Sequence, residues 1–182
     1  KSDYSVATIP GNSKIRILVV PGHEPTFGGA EYLDLKERYL TVDVARELIG
    51  FLQKNSHYEV FTTRNRLAWL PEFGNYFKSN WSDIIEWQKA SRDAARKLVQ
   101  VGTMTSVTPS VYHNAVNPDV GYRLYGINKW ANENNMDIVV HIHFNDYPHK
   151  NITSPGKFSG FSIYVPEQQY YNSTSTKAIA NT

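Results

Sequence analysis

The chain has 182 residues, a formal net charge of +2, 41% hydrophobic and 20% charged residues, and no cysteine. That is enough length and apolar content for one folded domain with a sizeable core. It excludes disulfides and thiolate metal ligands, gives no strong electrostatic footprint for nucleic acid, and holds no apolar stretch near the roughly 20 residues that a membrane-spanning helix needs. The aromatic content is 13%, with 12 Tyr, which suits core packing or, alternatively, stacking on sugars.

In chain order, residues 1–13 are polar and read as a loose arm. Residues 15–20 (Ile-Arg-Ile-Leu-Val-Val), closed by Pro21-Gly22, read as a short buried strand. A loop with Gly28-Gly29 leads to a helical pattern from Glu37 to about Gln53, with Leu40, Val44, Leu48, Ile49 and Leu52 at helical spacing and Asp34 as a candidate cap. Residues 58–63 alternate as a second strand, so the first 65 residues predict a βαβ unit. Residues 64–80 are aromatic and irregular. A helix is expected from about Ser82 to Val101, a loop over 102–120, a helix from Tyr122 to Asn134, and a strand over 137–143. Phe161 to Val165 reads as a fourth strand, and a short helix begins at Ser173 or Thr174. The chain stops within that helix, which predicts a domain whose C-terminal part lies beyond Thr182.

Ligands gather beyond the carboxyl ends of the strands in open α/β sheets. His23 follows the first strand, His143 ends the strand at 137–143, and Glu37 opens the first helix. If the two strands are parallel neighbours, these residues meet at one sheet edge. Two imidazoles and a carboxylate make the ligand set of an open, hydrolytic zinc site. His141 and His143 stand at i and i+2 on one face of their strand. Both could bind one metal, or His141 could sit deeper and orient its neighbour, which is the preferred reading because His143 is nearer the strand exit. No His-Glu-x-x-His helix and no Gly-x-Ser-x-Gly elbow is present.

Six motifs in order then resemble a known family. They are Val20-Pro-Gly-His23, Glu37-Arg38 opening a helix, Thr63-Arg64 ending a strand, Arg123 with Ala131-Asn132, His141-Ile-His143-Phe-Asn145, and Gly160 before Phe-Ser-Ile-Tyr-Val. Together, over nearly the whole chain after residue 15, they are similar to the zinc-dependent N-acetylmuramoyl-L-alanine amidases of the amidase-3 type. The resemblance implies an α/β fold, a three-layer α/β/α sandwich around a mostly parallel sheet. It implies a peptidoglycan hydrolase with zinc on His23, Glu37 and His143, cleaving by a zinc-activated water the amide between the lactyl group of muramic acid and L-alanine. The implied partners are the stem peptide and muramic acid, with a regulatory protein left open, and the implied place of work is outside the cytoplasm of a bacterium. Asn145 would hydrogen-bond substrate or cap its turn, and Arg123 and Asn132 would support the fold.

The chain departs from the family in two ways. Glu24-Pro25 follows the first histidine where the family usually has Gly. Glu24 is expected to point to solvent, and otherwise to stand near the metal as ligand or base. The family's second glutamate, its usual general base, has no match and is expected beyond Thr182, which leaves Glu24 as a weak stand-in and leaves open a chain that binds zinc without full catalysis. Residues 64–120 are longer than in compact members and read as an insertion that would cover or gate the groove. The competing functions are a non-catalytic zinc-containing wall-binding or regulatory module without the base, and another zinc peptidase or deacetylase. A two-metal aminopeptidase needs more carboxylates, for which Asp137 and Asp146 are the nearby candidates.

Overall fold

The computed structural model describes residues 14–106, 117–144 and 160–182. In chain order the elements are β1 (Ile15–Pro21), β2 (Glu31–Tyr32), β3 (Leu35–Lys36), α1 (Glu37–Leu52), β4 (Tyr58–Thr62), α2 (Pro71–Ser79), α3 (Trp81–Gln100), α4 (Pro118–Glu133), β5 (Ile138–Ile142) and α5 (Ser173–Ala180). The main sheet runs β4-β1-β5. Both pairings are parallel, with Ile15 opposite Tyr58 on one side of β1 and Ile17 opposite Ile138 on the other. β1 is the central strand, which is why its sequence is a near-continuous apolar run rather than an alternating one.

The two faces of β1 are covered by different layers. Ile17 and Val19 pack with Ala45, Leu48 and Ile49 of α1 and with Val60, Val140 and Ile142. Leu18 and Val20 face the other way, into Phe73 and Phe77 of α2, Ile84 of α3, and Ile127, Trp130 and Ala131 of α4. This is the expected α/β fold with helices on both sides of a mostly parallel sheet. Each such buried side chain stabilises the fold by roughly 1.5–3 kcal/mol. α3 is held to α4 by edge-to-face aromatic pairs, Trp81 with Tyr122 and Trp87 with Tyr125, at centroid separations of 5.7 and 5.9 Å.

Several elements differ from expectation. The stretch 64–80 contains α2, started by Pro71 at its first turn and anchored by Phe73 and Phe77 one turn apart. The segment 64–120 thus supplies α2 and α3, of which Phe73, Phe77 and Ile84 belong to the core, while Leu98 and Val99 near the end of α3 are exposed. α4 begins at Pro118, four residues before the expected start, because the Asn117 side chain accepts a hydrogen bond from the Asp119 N–H (2.9 Å) and Pro118 fits the first turn. α1 is not capped by Asp34. Lys36 precedes it without a side-chain cap bond, and Asp34 sits in the turn of a β2–β3 hairpin beside Leu33, whose φ is 52°. Residues 161–165 form no strand: Phe161, Ile163 and Tyr164 are exposed. Their alternation suits a ladder, but strand formation needs a neighbouring backbone, and no described strand pairs with them. The arm 1–13, residues 107–116 of the expected 102–120 loop and the whole expected 146–159 loop lie outside the described residues, and with them Asn145 and Asp146.

Candidate metal centre

The parallel register carries the ends of β1 and β5 to the same edge, with Pro21 opposite Ile142. The Gly22 N–H then donates to the Ile142 carbonyl at 2.9 Å. His23 follows with φ of 69°. That left-handed conformation is uncommon for a residue with a Cβ and is retained only where the surroundings enforce it. It turns the imidazole back over the sheet edge. There Nε2 lies 2.7 Å from Glu37 Oε1, yet it is buried and has no hydrogen-bond partner.

Glu37 is delivered by the β2–β3 hairpin, and its backbone and side chain are both tied to Ala30. The Glu37 N–H donates to the Ala30 carbonyl (2.9 Å), and the Ala30 N–H donates to Glu37 Oε2 (2.8 Å). Arg38 reinforces the loop by donating to the Gly28 carbonyl and to Glu31. Glu37 Oε1 accepts from the Phe144 N–H at 2.8 Å and lies 3.4 Å from His143 Nδ1. Burial alone would push this carboxyl up. The contacts with His143 and His23 and the two backbone donors outweigh it, so the group is held well below the usual carboxylate range.

His143 follows β5 directly and sets its ring edge-on to that of His23, with centroids 4.9 Å apart and planes at 80°. One ligand atom from each of His23, Glu37 and His143 lies within 4.8 Å of the others, the one group of three or more such residues found among the described residues. His141 does not join it. Its backbone partner is Val20, which puts it on the sheet face toward α2–α4, where it is exposed.

Glu24 corrects an expectation. It does not point to solvent but is buried, at 6% exposure. Its Oε1 accepts from Arg123 Nε at 2.9 Å and its Oε2 from Trp69 Nε1 at 3.2 Å. No local sequence pattern links Arg123 or Trp69 to it, at separations of 99 and 45 residues.

The backbone also approaches the site closely at Gly22. A Cβ there would stand 2.4 Å from His143 Cε1 and 2.7 Å from the Ile142 carbonyl oxygen. At Gly29, with φ of 84°, it would meet His23 Cδ2 at 2.9 Å and Glu37 Cβ at 3.0 Å. Backbone without side chains thus hugs the site on two sides. Gly22→Ala is expected to displace the His143 ring and weaken zinc binding about 10-fold or more, at a stability cost of about 1–3 kcal/mol from overpacking. Chelator competition and thermal melting of the metal-free chain check the two effects; unchanged zinc affinity would show that the His143 position is irrelevant to binding.

The donor set suits zinc. Two imidazoles and one carboxylate leave a fourth tetrahedral position open. Two imidazole nitrogens gathered on one ionised carboxylate oxygen, with the His23 contact not aligned as a hydrogen bond, form an arrangement that a shared cation would suit.

No curated protein and no solved structure matches the chain. A family model of the amidase-3 type, described as N-acetylmuramoyl-L-alanine amidase, matches residues 17–182, a span that includes every residue of the converging group. The chain belongs to the N-acetylmuramoyl-L-alanine amidase family, whose members act on peptidoglycan.

Proposed function

We propose that this chain cleaves the amide between the lactyl group of N-acetylmuramic acid and L-alanine of the stem peptide, with zinc held by His23, Glu37 and His143. The observation that carries the reading is the convergence of those three side chains, from three separate elements, within 4.8 Å. When bound, zinc supplies a Lewis acid for an amide carbonyl and lowers the pKa of water toward about 7. The chain's own residues would hold and orient the metal. Glu37 contributes the negative charge that partly offsets a dication, and its two N–H donors keep the carboxylate from rotating. His23 is preset by its backbone, so little conformational freedom is lost when its Nε2 finds a partner. His143 is the exposed member of the three, on the side from which a polymer can approach. Glu24 is read as a structural anion rather than the proton acceptor, because both of its oxygens already accept hydrogen bonds. A wall substrate places the work outside the cytoplasmic membrane.

The test uses purified bacterial peptidoglycan and the full chain loaded with zinc. The expected result is release of new L-alanine amino termini without new reducing sugar ends, with about one zinc per chain, loss of release on chelation and recovery on zinc addition. Amino termini other than alanine would point to a different peptidase, and wall binding without release would point to a binding module; either overturns the proposal.

A further inference from the structure

Arg64 stands just past the end of β4 and is among the largest fully buried side chains, at 2% exposure. Its acceptors include no carboxylate. Nε donates to the Pro21 carbonyl (3.3 Å) and Nη1 to the Asn65 carbonyl (3.1 Å). Nη2 donates to the Gly22 carbonyl, to the Arg38 carbonyl (2.9 Å) and to Thr41 Oγ1 (3.2 Å). Thr41 is itself fully buried, and its hydroxyl lies within reach of the same two carbonyls, Gly22 at 3.3 Å and Arg38 at 3.4 Å.

Stability alone is a poor reason for this arrangement. A guanidinium taken out of water without a carboxylate in hydrogen-bond contact is costly. It also lies at the first turn of α1, the end of a helix whose dipole disfavours positive charge. What the fork gains is geometry. The Gly22 carbonyl belongs to the planar peptide that ends in the His23 nitrogen, so fixing that oxygen fixes the plane from which His23 departs. The Arg38 carbonyl lies one residue past Glu37, in the first turn of α1. One planar group with donors at set angles therefore grips the backbone beside two members of the candidate metal site.

We infer that Arg64 is a positioning residue of the metal centre, setting the separation of His23 and Glu37 by binding the Gly22 and Arg38 carbonyls together. The inference rests on the zinc reading of the site. Arg64 touches neither metal nor substrate. Its charge, near a site meant for a dication, opposes metal binding, so a geometric role and an electrostatic one predict opposite signs.

The experiment titrates metal-free full chain with zinc against a chromophoric chelator for the unaltered protein, Arg64→Met, Arg64→Lys and Thr41→Val. Thermal melts with and without zinc are run beside it. Arg64→Met removes the opposing charge along with the fork, and it is expected to bind zinc about 10- to 100-fold more weakly. Arg64→Lys is expected not to restore affinity, because a shorter side chain ending in one ammonium lacks the planar fork whose Nε and Nη1 anchor it on the Pro21 and Asn65 carbonyls while Nη2 reaches Gly22 and Arg38. Thr41→Val, the mildest change, is expected to lose affinity by a smaller factor and keeps the test alive if both Arg64 variants fail to fold. Phe73→Leu, in the core formed with α2, serves as the comparison: it is destabilised but should keep full zinc affinity. Equal or tighter zinc binding in the variants that fold would overturn the positioning role. Failure of the unaltered chain to bind zinc would instead remove the metal reading, and the inference with it.

Discussion

His143→Ala is expected to lose bound zinc and all amide release while the metal-free fold stays nearly as stable as before. The side chain of His143 is 46% exposed, and it follows β5 rather than sitting in the core, so truncation leaves no closed cavity. A change within about 0.5 kcal/mol is usual for such a site. The metal, however, would keep two protein ligands in place of three, and a loss beyond about 100-fold in affinity is expected, more than the removal of a supporting group produces. Thermal melting gives a second readout. Zinc at about 100 times its dissociation constant should stabilise the unaltered chain by about 2.7 kcal/mol, which for a domain of this size is a rise of about 5–10 °C; the variant should show none. Glu37→Gln makes the useful contrast. An amide cannot accept from both Ala30 and Phe144 as the carboxylate does. One partly buried N–H is left unpaired, costing about 1 kcal/mol even without metal. Full zinc retention in His143→Ala would remove His143 from the site.

The residues of this site were legible in the sequence because each sits at the end of an element with a strong local pattern. β1 and β5 are short apolar runs, α1 has helical spacing, and the parallel register brings their ends together. Where the determinants are distant, local pattern failed. The alternation of Phe161 to Val165 predicts a strand, but pairing depends on a neighbour that five residues cannot specify, and the segment has no strand partner among the described residues. Glu24 looked like a solvent-facing departure after His23 because its partners, Trp69 and Arg123, lie 45 and 99 residues further along. α2 could have been read from Pro71 and the Phe73/Phe77 spacing, which the density of aromatic residues obscured. Arg64 was legible as the end of a strand; its grip on Gly22 and Arg38 exists only after folding.

The second large effect is expected at Glu24 and Arg123. Their ion pair joins the residue after His23 to α4, and the indole of Trp69 closes the other oxygen. Arg123 also lies over the Trp81 ring at 5.8 Å. Arg123→Met would leave a buried carboxylate with only the indole N–H. Removing one partner of a buried pair costs about 3–5 kcal/mol, here a fall in melting temperature of about 6–20 °C. Glu24→Gln should cost less, because Arg123 is partly open to water and the amide oxygen still accepts a hydrogen bond. The double variant should recover part of the loss, since no uncompensated charge then remains. The same variants decide what Glu24 does. A general base contributes typically 10²–10⁴-fold, so Glu24→Gln with zinc bound and the fold intact would lose turnover by that factor if Glu24 took the proton. With both oxygens engaged by Arg123 and Trp69, turnover is expected to stay within a few-fold of the unaltered chain, measured as L-alanine termini released per folded, zinc-loaded molecule. A loss of a hundredfold or more in that variant would return Glu24 to the reaction and make its two hydrogen bonds the means of orienting a base.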